Sequence, residues 1–397
     1  MRARVLLAAA CATLLALTGC SAATHSDNAY GPLTLWTDSI RLDAMKQLAA
    51  DFEKQDHIKI NVVVRKGDAV TDDFVQQVPS GKGPDLIVTA HDGLGKLVQN
   101  GVVNPVDIPT ERFRKEAIKA VTYDGKIYGV PYATENLGLV RNDDLTKAEP
   151  KTFTEMIDAG RQSGAEYPFV IDQDPELGDP YHMYPFQTSF GAPVFKSDKF
   201  GYTTDLGMAG KEGKNLANWL AQQGKNGSID AHITGDKSKQ LFMDGKVAFQ
   251  ITGPWNTSAY EEAGRHISVL PIPSAGGKKA SPFLGVQVFF ASNKTSNPVL
   301  VRKFFDYVAS ERGQKLLFKL DPRVPAQTKI AASMKDPVLR GFLTAGEGAS
   351  PMPALPQMGS VWKFWGGTEL NILTGKQDPT KGWDRMNANI VNEIGAK

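Results

Sequence analysis

The sequence predicts an α/β fold: mainly parallel sheets covered by helices, divided between two domains. Three observations carry that reading. β-rich runs alternate with helix-period stretches through the first hundred folded residues, the pattern that lays down parallel strands with crossover helices. The 397-residue chain is long enough for two domains with sizeable cores. Both cysteines, Cys11 and Cys20, lie in the first twenty residues, so no disulfide or thiolate metal site can support the rest.

The elements follow in order. Residues 33–36 (Leu-Thr-Leu-Trp) form a first strand, with Trp36 expected in the core beneath the helices. Leu42, Met45, Leu48, Ala49 and Phe52 recur at helical spacing. A second strand occupies 58–64, a polar helix 70–78, and a third strand 84–89, bounded by Gly81 and Gly83. Leu94, Leu97 and Val98 start another helix. Parallel sheets take ligands beyond the carboxyl ends of their strands, which draws attention to the loops 37–41 and 90–93. Asp124-Gly125 between two β-rich runs, 120–123 and 126–130, predicts a hairpin. The chain then crosses between domains near 133–136. An aromatic, proline-rich loop is expected at 179–186 and a helix at 214–223. Residues 242–251 read as a helix end, turn and strand, with Gly253-Pro254-Trp255 next. Residues 283–291 are a second crossing strand. One helix is expected over 300–320, with Val301, Phe304, Phe305, Val308, Leu316 and Leu317 on one face.

The amino end has a different character. Arg2 and Arg4 precede a mostly Ala and Leu run that ends in Leu17-Thr18-Gly19-Cys20. This is a basic, then apolar, then small-residue sequence of the secretory type, too short to span a bilayer. The small-small-Cys ending resembles the bacterial lipobox, which makes 1–19 a lipoprotein signal peptide and Cys20 a lipidated mature end. The small polar residues 20–30 read as a flexible tether. Loss of Arg2 and Arg4 leaves a balanced chain, because the formal charge of the whole is +2. Such balance offers no electrostatic footprint for nucleic acid.

Catalytic signatures are absent: no Gly-x-Ser-x-Gly, no His-Glu-x-x-His, no Walker loop. The six histidines are scattered, and neither cofactor nor metal is expected. A glycoside hydrolase needs only two carboxylates, so residue types alone leave that class open. Aromatics beside polar groups in loops form a better signal: Trp36; Tyr132 with Glu135; Asp179, Tyr181, His182 and Tyr184; Trp255; Trp362 with Trp365. A sugar has apolar C–H faces and a rim of hydroxyls. Its receptor therefore uses flat rings to stack on and charged or amide groups to hold the rim. Trp255, which follows Gly-Pro after a strand, is expected to turn outward.

Several blocks go further. They are Gly83-Pro84-Asp85-Leu86-Ile87 with Ala90-His91-Asp92; Tyr123-Asp124-Gly125-Lys126 through Val130-Pro131; Leu139 through Leu145; Asp179-Pro180-Tyr181; Phe242-Met243-Asp244-Gly245-Lys246 through Gly253-Pro254-Trp255; Pro282 through Val286; and Met352-Pro353 through Pro356-Gln357-Met358 with Trp362. In these the mature chain resembles the maltose/maltodextrin-binding proteins of bacterial ABC importers. The resemblance implies a two-lobed periplasmic-binding-protein fold of type II, with crossing hinge segments and the sugar in the cleft. It implies an N-lobe of 31–133 plus 286–330 and a C-lobe of 137–282 plus 335–397. By the same resemblance Asp92 and Glu135 accept sugar hydroxyls, Asp179 stands for a family Glu, and Arg41 donates from the first loop. Tyr181, Trp255 and Trp362 are stacking platforms, and Tyr184 takes the place of a family Trp. The implied partners are maltose or maltodextrin, the importer's membrane subunits, and the membrane through the lipid anchor. The implied state is an extracytoplasmic monomer that does no bond-breaking. Thr89, Gly93, His182 and Lys363 depart from the family pattern, which keeps a different di- or oligosaccharide open.

Overall fold

A computed structural model describes residues 31–66, 69–198 and 201–395. The signal segment, Cys20 and the tether lie outside the described residues. The strands in chain order are β1 (Leu33–Thr37), β2 (Ile60–Val64), β3 (Leu86–Ala90), β4 (Thr122–Tyr123), β5 (Lys126–Ile127), β6 (Gly129–Glu135) and β7 (Gly138–Asn142). They continue with β8 (Tyr167–Ile171), β9 (Phe195–Asp198), β10 (Gly201–Leu206), β11 (Val247–Thr252), β12 (Ile267–Leu270), β13 (Gly285–Ala291) and β14 (Val324–Pro325). Two sheets organise the lobes: a six-stranded one in the order β14-β6-β13-β3-β1-β2 and a four-stranded one in the order β12-β7-β11-β8.

β1, β2 and β3 run parallel, while β13 runs against both β3 and β6. In the smaller sheet β8 and β11 are parallel, and β7 opposes both β11 and β12. Most strands of each sheet therefore point one way. The reversal of β13 has a consequence for the cleft. Its first residues lie beside the carboxyl ends of β3 and β6, with Gln287 opposite Ala90 and Gly285 opposite Glu135. A Cβ on Gly285 would sit 3.1 Å from Glu135 Cγ, so the glycine leaves room for that side chain.

The larger sheet is packed by Met45, Leu48, Phe52 and Phe304, all fully buried. Full burial of a side chain of this size contributes about 1.5–3 kcal/mol. Trp36 is core, as its position in β1 predicts, and the Arg65 guanidinium lies 4.1 Å from its ring centroid. A second cluster around Phe186, Phe249, Trp365 and Trp383 fills the smaller-sheet lobe. A third, with Phe242, Tyr260 and Phe342, includes residues of helices Gly235–Met243 and Pro337–Ala345. The Asp124-Gly125 turn is present, with both residues at positive φ (47° and 71°) joining β4 to β5.

Two expectations need correction. Residues 179–186 are not a loop: a helix runs from Pro180 to Phe190. Pro180 occupies its first turn, where a missing N–H costs nothing, and the Asp179 side chain caps it by accepting from the His182 N–H at 3.0 Å. Residues 300–320 are two helices, Pro298–Val308 and Glu311–Leu320. Ser310 caps the second by accepting from Gly313 N–H at 3.0 Å. Apolar spacing continues across the break, so periodicity alone could not locate it.

Candidate functional site

Between the lobes lies a cleft of about 780 Å³. From the first lobe Asp38, Arg41, Thr89, Asp92, Glu135 and Gln287 line it, and from the segment entering helix Met358–Leu373 come Leu355, Pro356, Met358 and Trp362. The first-lobe residues arrive there because β1, β3 and β6 end at this edge and β13 begins at it. A wider groove of about 960 Å³ lies on the second lobe around Trp219, and it contains none of the residues singled out by sequence.

The polar wall is a connected network. Arg41 pairs with Asp38 and donates from Nη2 to Gln287 Oε1 at 2.5 Å. Gln287 Nε2 donates to Glu135 Oε1 at 2.6 Å, and Arg323 Nε donates to Glu135 Oε2 at 2.7 Å. Arg323 also pairs with Asp321, which accepts from the Tyr132 hydroxyl at 2.8 Å. Burial works against the Arg323 charge, but Glu135 and Asp321 hold its pKa above the ordinary value, with the Tyr132 oxygen adding to the rise. Both Glu135 oxygens are thus engaged. Asp92 is different: among the described residues its carboxylate has no hydrogen-bond or ion-pair partner, and it faces the cleft. Asp72, nearby, is taken by Lys96 at 2.5 Å.

His91 fixes the Asp92 loop. Its ring is fully buried. Nδ1 accepts from the Val286 N–H at 3.2 Å, which leaves Nε2 to donate to the Met352 carbonyl at 3.0 Å. Burial lowers its pKa, so the ring is neutral and acts as a staple between β13 and the 352–358 segment. Gly95 permits the same approach from the next helix, because a Cβ there would lie 2.1 Å from the Ala354 carbonyl oxygen.

The opposite wall is aromatic. Trp362 stacks on Trp365 (centroids 5.2 Å, 24°) and meets Phe283 edge-on at 6.4 Å. Trp365 is fully buried and donates from Nε1 to Glu369 at 2.8 Å. Burial pushes the Glu369 carboxyl up to about 8, against the Trp365 hydrogen bond and helped by the Asp179 charge. Tyr181 stacks on Phe283 at 6.4 Å and meets His182 edge-on at 5.4 Å. Burial, then the charges of Glu135, Asp179 and Asp92, push the Tyr181 phenol far above its ordinary value. Glu135 and Asp92 stand on the facing lobe; Tyr181 and Trp255 are not among the residues that line the cleft itself. Trp255 meets His182 edge-on at 6.3 Å and is 36% exposed, turned outward as its Gly-Pro context predicts. Its ring lies over Gly253, where a Cβ would fall 2.0 Å from Cζ3.

Two candidates stand elsewhere than expected. Tyr184 is not a platform: its ring is stacked 3.6 Å from Phe283 and edge-on to Trp365, and it is 6% exposed. It shares a helix face with Tyr181, three residues before it, but one turn further on it is packed between Phe283 and Trp365 in the core. Asp179 is a helix cap whose second oxygen lies 2.7 Å from His182 Nδ1, so both of its oxygens already hold a protein partner. Sequence reasoning missed Gln287, Asp321 and Arg323, and pointed to Asp38 only through its loop, 37–41. Gln287 carried a signal, since it interrupts an otherwise apolar crossing strand; Arg323 and Asp321 carried none.

The comparisons with known proteins agree with this fold. Residues 47–339 match the family model described as bacterial extracellular solute-binding protein. A galactooligosaccharide-binding protein of Bacillus subtilis is 27% identical, over 97% of this chain and 96% of that protein. A maltodextrin-binding protein of the same organism is 28% identical, over 91% and 90%. The crystal structure of a cyclo/maltodextrin-binding protein complexed with maltotetraose superposes with a TM-score of 0.79 at 27% identity, covering 92% of this chain and 98% of that one.

Proposed function

The chain belongs to the bacterial extracellular solute-binding proteins, and from that premise we propose that it captures a maltodextrin-type α-glucan in the inter-lobe cleft for an ABC importer. One observation carries the reading: a free carboxylate, Asp92, and a ring face, Trp362, line the same 780 Å³ cleft. That volume is in the range of small-molecule sites, about 300–1,000 Å³. Asp92 and Arg41 hold hydroxyls, Trp362 and Tyr181 carry the sugar faces, and Glu135 takes part as the centre of the polar network. Trp255 extends the aromatic wall outward. Lobes of 31–133 with 286–330, and of 137–282 with 335–397, close by hinge motion at the crossing segments and exclude water.

The protein binds and does not hydrolyse. A glycosidase needs a carboxyl that hands a proton to the leaving group, and both Glu135 oxygens already accept hydrogen bonds from Gln287 and Arg323. Lipidation at Cys20 keeps the receptor at the membrane surface, since several acyl chains anchor far better than one. Labelled palmitate should enter the wild type and not Cys20→Ala.

Calorimetry with maltotriose tests the reading directly, and Asp92→Asn should weaken binding at least tenfold. No heat with any α-glucan would end it. The galactooligosaccharide-binding relative supports a second specificity on the same site, and a galactooligosaccharide in the same titration distinguishes the two. Release of glucose from maltotriose would overturn the receptor reading altogether.

A further inference from the structure

His182 is the imidazole of the aromatic wall among the described residues. It is 8% exposed and lies between two carboxylates from different elements. Nδ1 is 2.7 Å from Asp179 Oδ2, and Nε2, with no hydrogen-bond partner, is 3.5 Å from Asp172 Oδ2 at the end of β8. Asp172 is itself held by Ser238, whose hydroxyl accepts from Gln250 at 3.0 Å, and Gln250 Oε1 accepts from the Tyr260 hydroxyl at 2.8 Å. From helix Met358–Leu373 the buried Glu369 faces Asp179. The same imidazole makes the edge contacts to both Tyr181 and Trp255. A neutral imidazole has one N–H and can satisfy one of these carboxylates; the cation has two and can satisfy both.

We infer that His182 is a positioning residue of the sugar site: as a cation bridging Asp172 and Asp179 it holds Tyr181 and Trp255 in place, and sugar affinity therefore depends on its proton. The inference rests on the sugar-binding reading for its second half. Burial disfavours the charged ring, but the Asp179 hydrogen bond and the charges of Asp179 and Asp172 outweigh it and raise its pKa above the ordinary value near 6.5. The bridge is thus more than half formed at pH 6.5, fills in below it, and is lost as pH rises through the raised value.

The test has two arms. In the sugar-free protein, NMR follows the His182 ring nitrogens and the Trp255 and Tyr181 ring protons from pH 5 to 10. They should titrate together, above pH 6.5, and in Asp172→Asn the shared midpoint should fall. Trp255 and Tyr181 signals that ignore the His182 titration would overturn the positioning role. In the second arm, maltotriose affinity is measured over the same range. It should drop by about fivefold or more above the His182 midpoint, and His182→Phe, which keeps a flat ring without titrating nitrogens, should flatten the profile. A flat wild-type profile, or an equal slope in His182→Phe, would sink the link to affinity. If maltotriose binds at no pH, the sugar reading fails, and the first arm still decides the role of His182.

Discussion

The two walls of the cleft are built on opposite principles. The first-lobe wall is a chain of ion pairs and hydrogen bonds from Asp38 through Arg41, Gln287, Glu135 and Arg323 to Asp321 and Tyr132. The second-lobe wall is a stack of rings, Trp362 on Trp365 and Tyr181 on Phe283, with polar groups beneath it. The difference shows how a site can be rigid and yet present one free acceptor. Every engaged carboxylate in the polar wall fixes its neighbours, so Asp92, the unengaged one, is held in place by backbone and by the His91 staple. Packing orients most of these rings, and the His182 imidazole braces Tyr181 and Trp255 at their edges. A sugar needs both kinds of surface, and the cleft offers one on each side.

The largest way to break the comparison is Arg323→Met. It leaves Glu135 and Asp321 buried without their cation, and loss of one partner of a buried pair costs about 3–5 kcal/mol. Urea unfolding should show that loss, and sugar binding should weaken with it. On the aromatic side the matching experiment is Glu369→Gln. Its carboxyl is raised to about 8 in the folded protein from an ordinary 4.5. The folded state therefore binds more protons than the unfolded state between those values, and stability falls as pH rises across that window. The variant should remove this slope and gain on the order of a few kcal/mol over wild type at pH 8. An unchanged pH profile would mean that Glu369 is not a buried acid.

Smaller effects sharpen the contrast. Trp362→Ala and Trp255→Ala should each lower maltotriose affinity about tenfold or more, near 1.4 kcal/mol, with the buried-side ring Trp362 costing more. Calorimetry giving wild-type affinity in both would remove the aromatic wall from the site. Asp179→Ala should cost about 1 kcal/mol of stability as a lost cap, read by thermal melting. Its effect on affinity should be smaller than that of Asp92→Asn, although both remove one carboxylate from the same region.

Much of the molecule was legible beforehand. Strand and helix alternation placed the elements of the first lobe, and Asp124-Gly125 placed its turn. Gly253-Pro254-Trp255 announced an outward ring, because the glycine makes room and the proline ends the strand. Asp92, Glu135, Arg41 and Trp362 were found by motif and do converge on one cleft. The errors have local causes. Two prolines and three aromatics made 179–186 look like a loop, though an aspartate cap and a proline at the first helical turn are helix-start signals. Tyr184 was taken for a platform because its neighbours are; packing between Phe283 and Trp365 holds it in the core instead.

The sequence by itself determined the fold class, the family and which loops reach the cleft, since those follow from short-range spacing and from contiguous blocks. The tertiary structure alone decided which acidic groups are available to a ligand. Glu135 is engaged by partners 152 and 188 residues away, Asp179 by a neighbour three residues on, and Asp92 by none among the described residues. The three carboxylates read alike in a string of letters. Their chemistry differs because hydrogen bonds fall off within a few ångströms of space, whatever the distance along the chain.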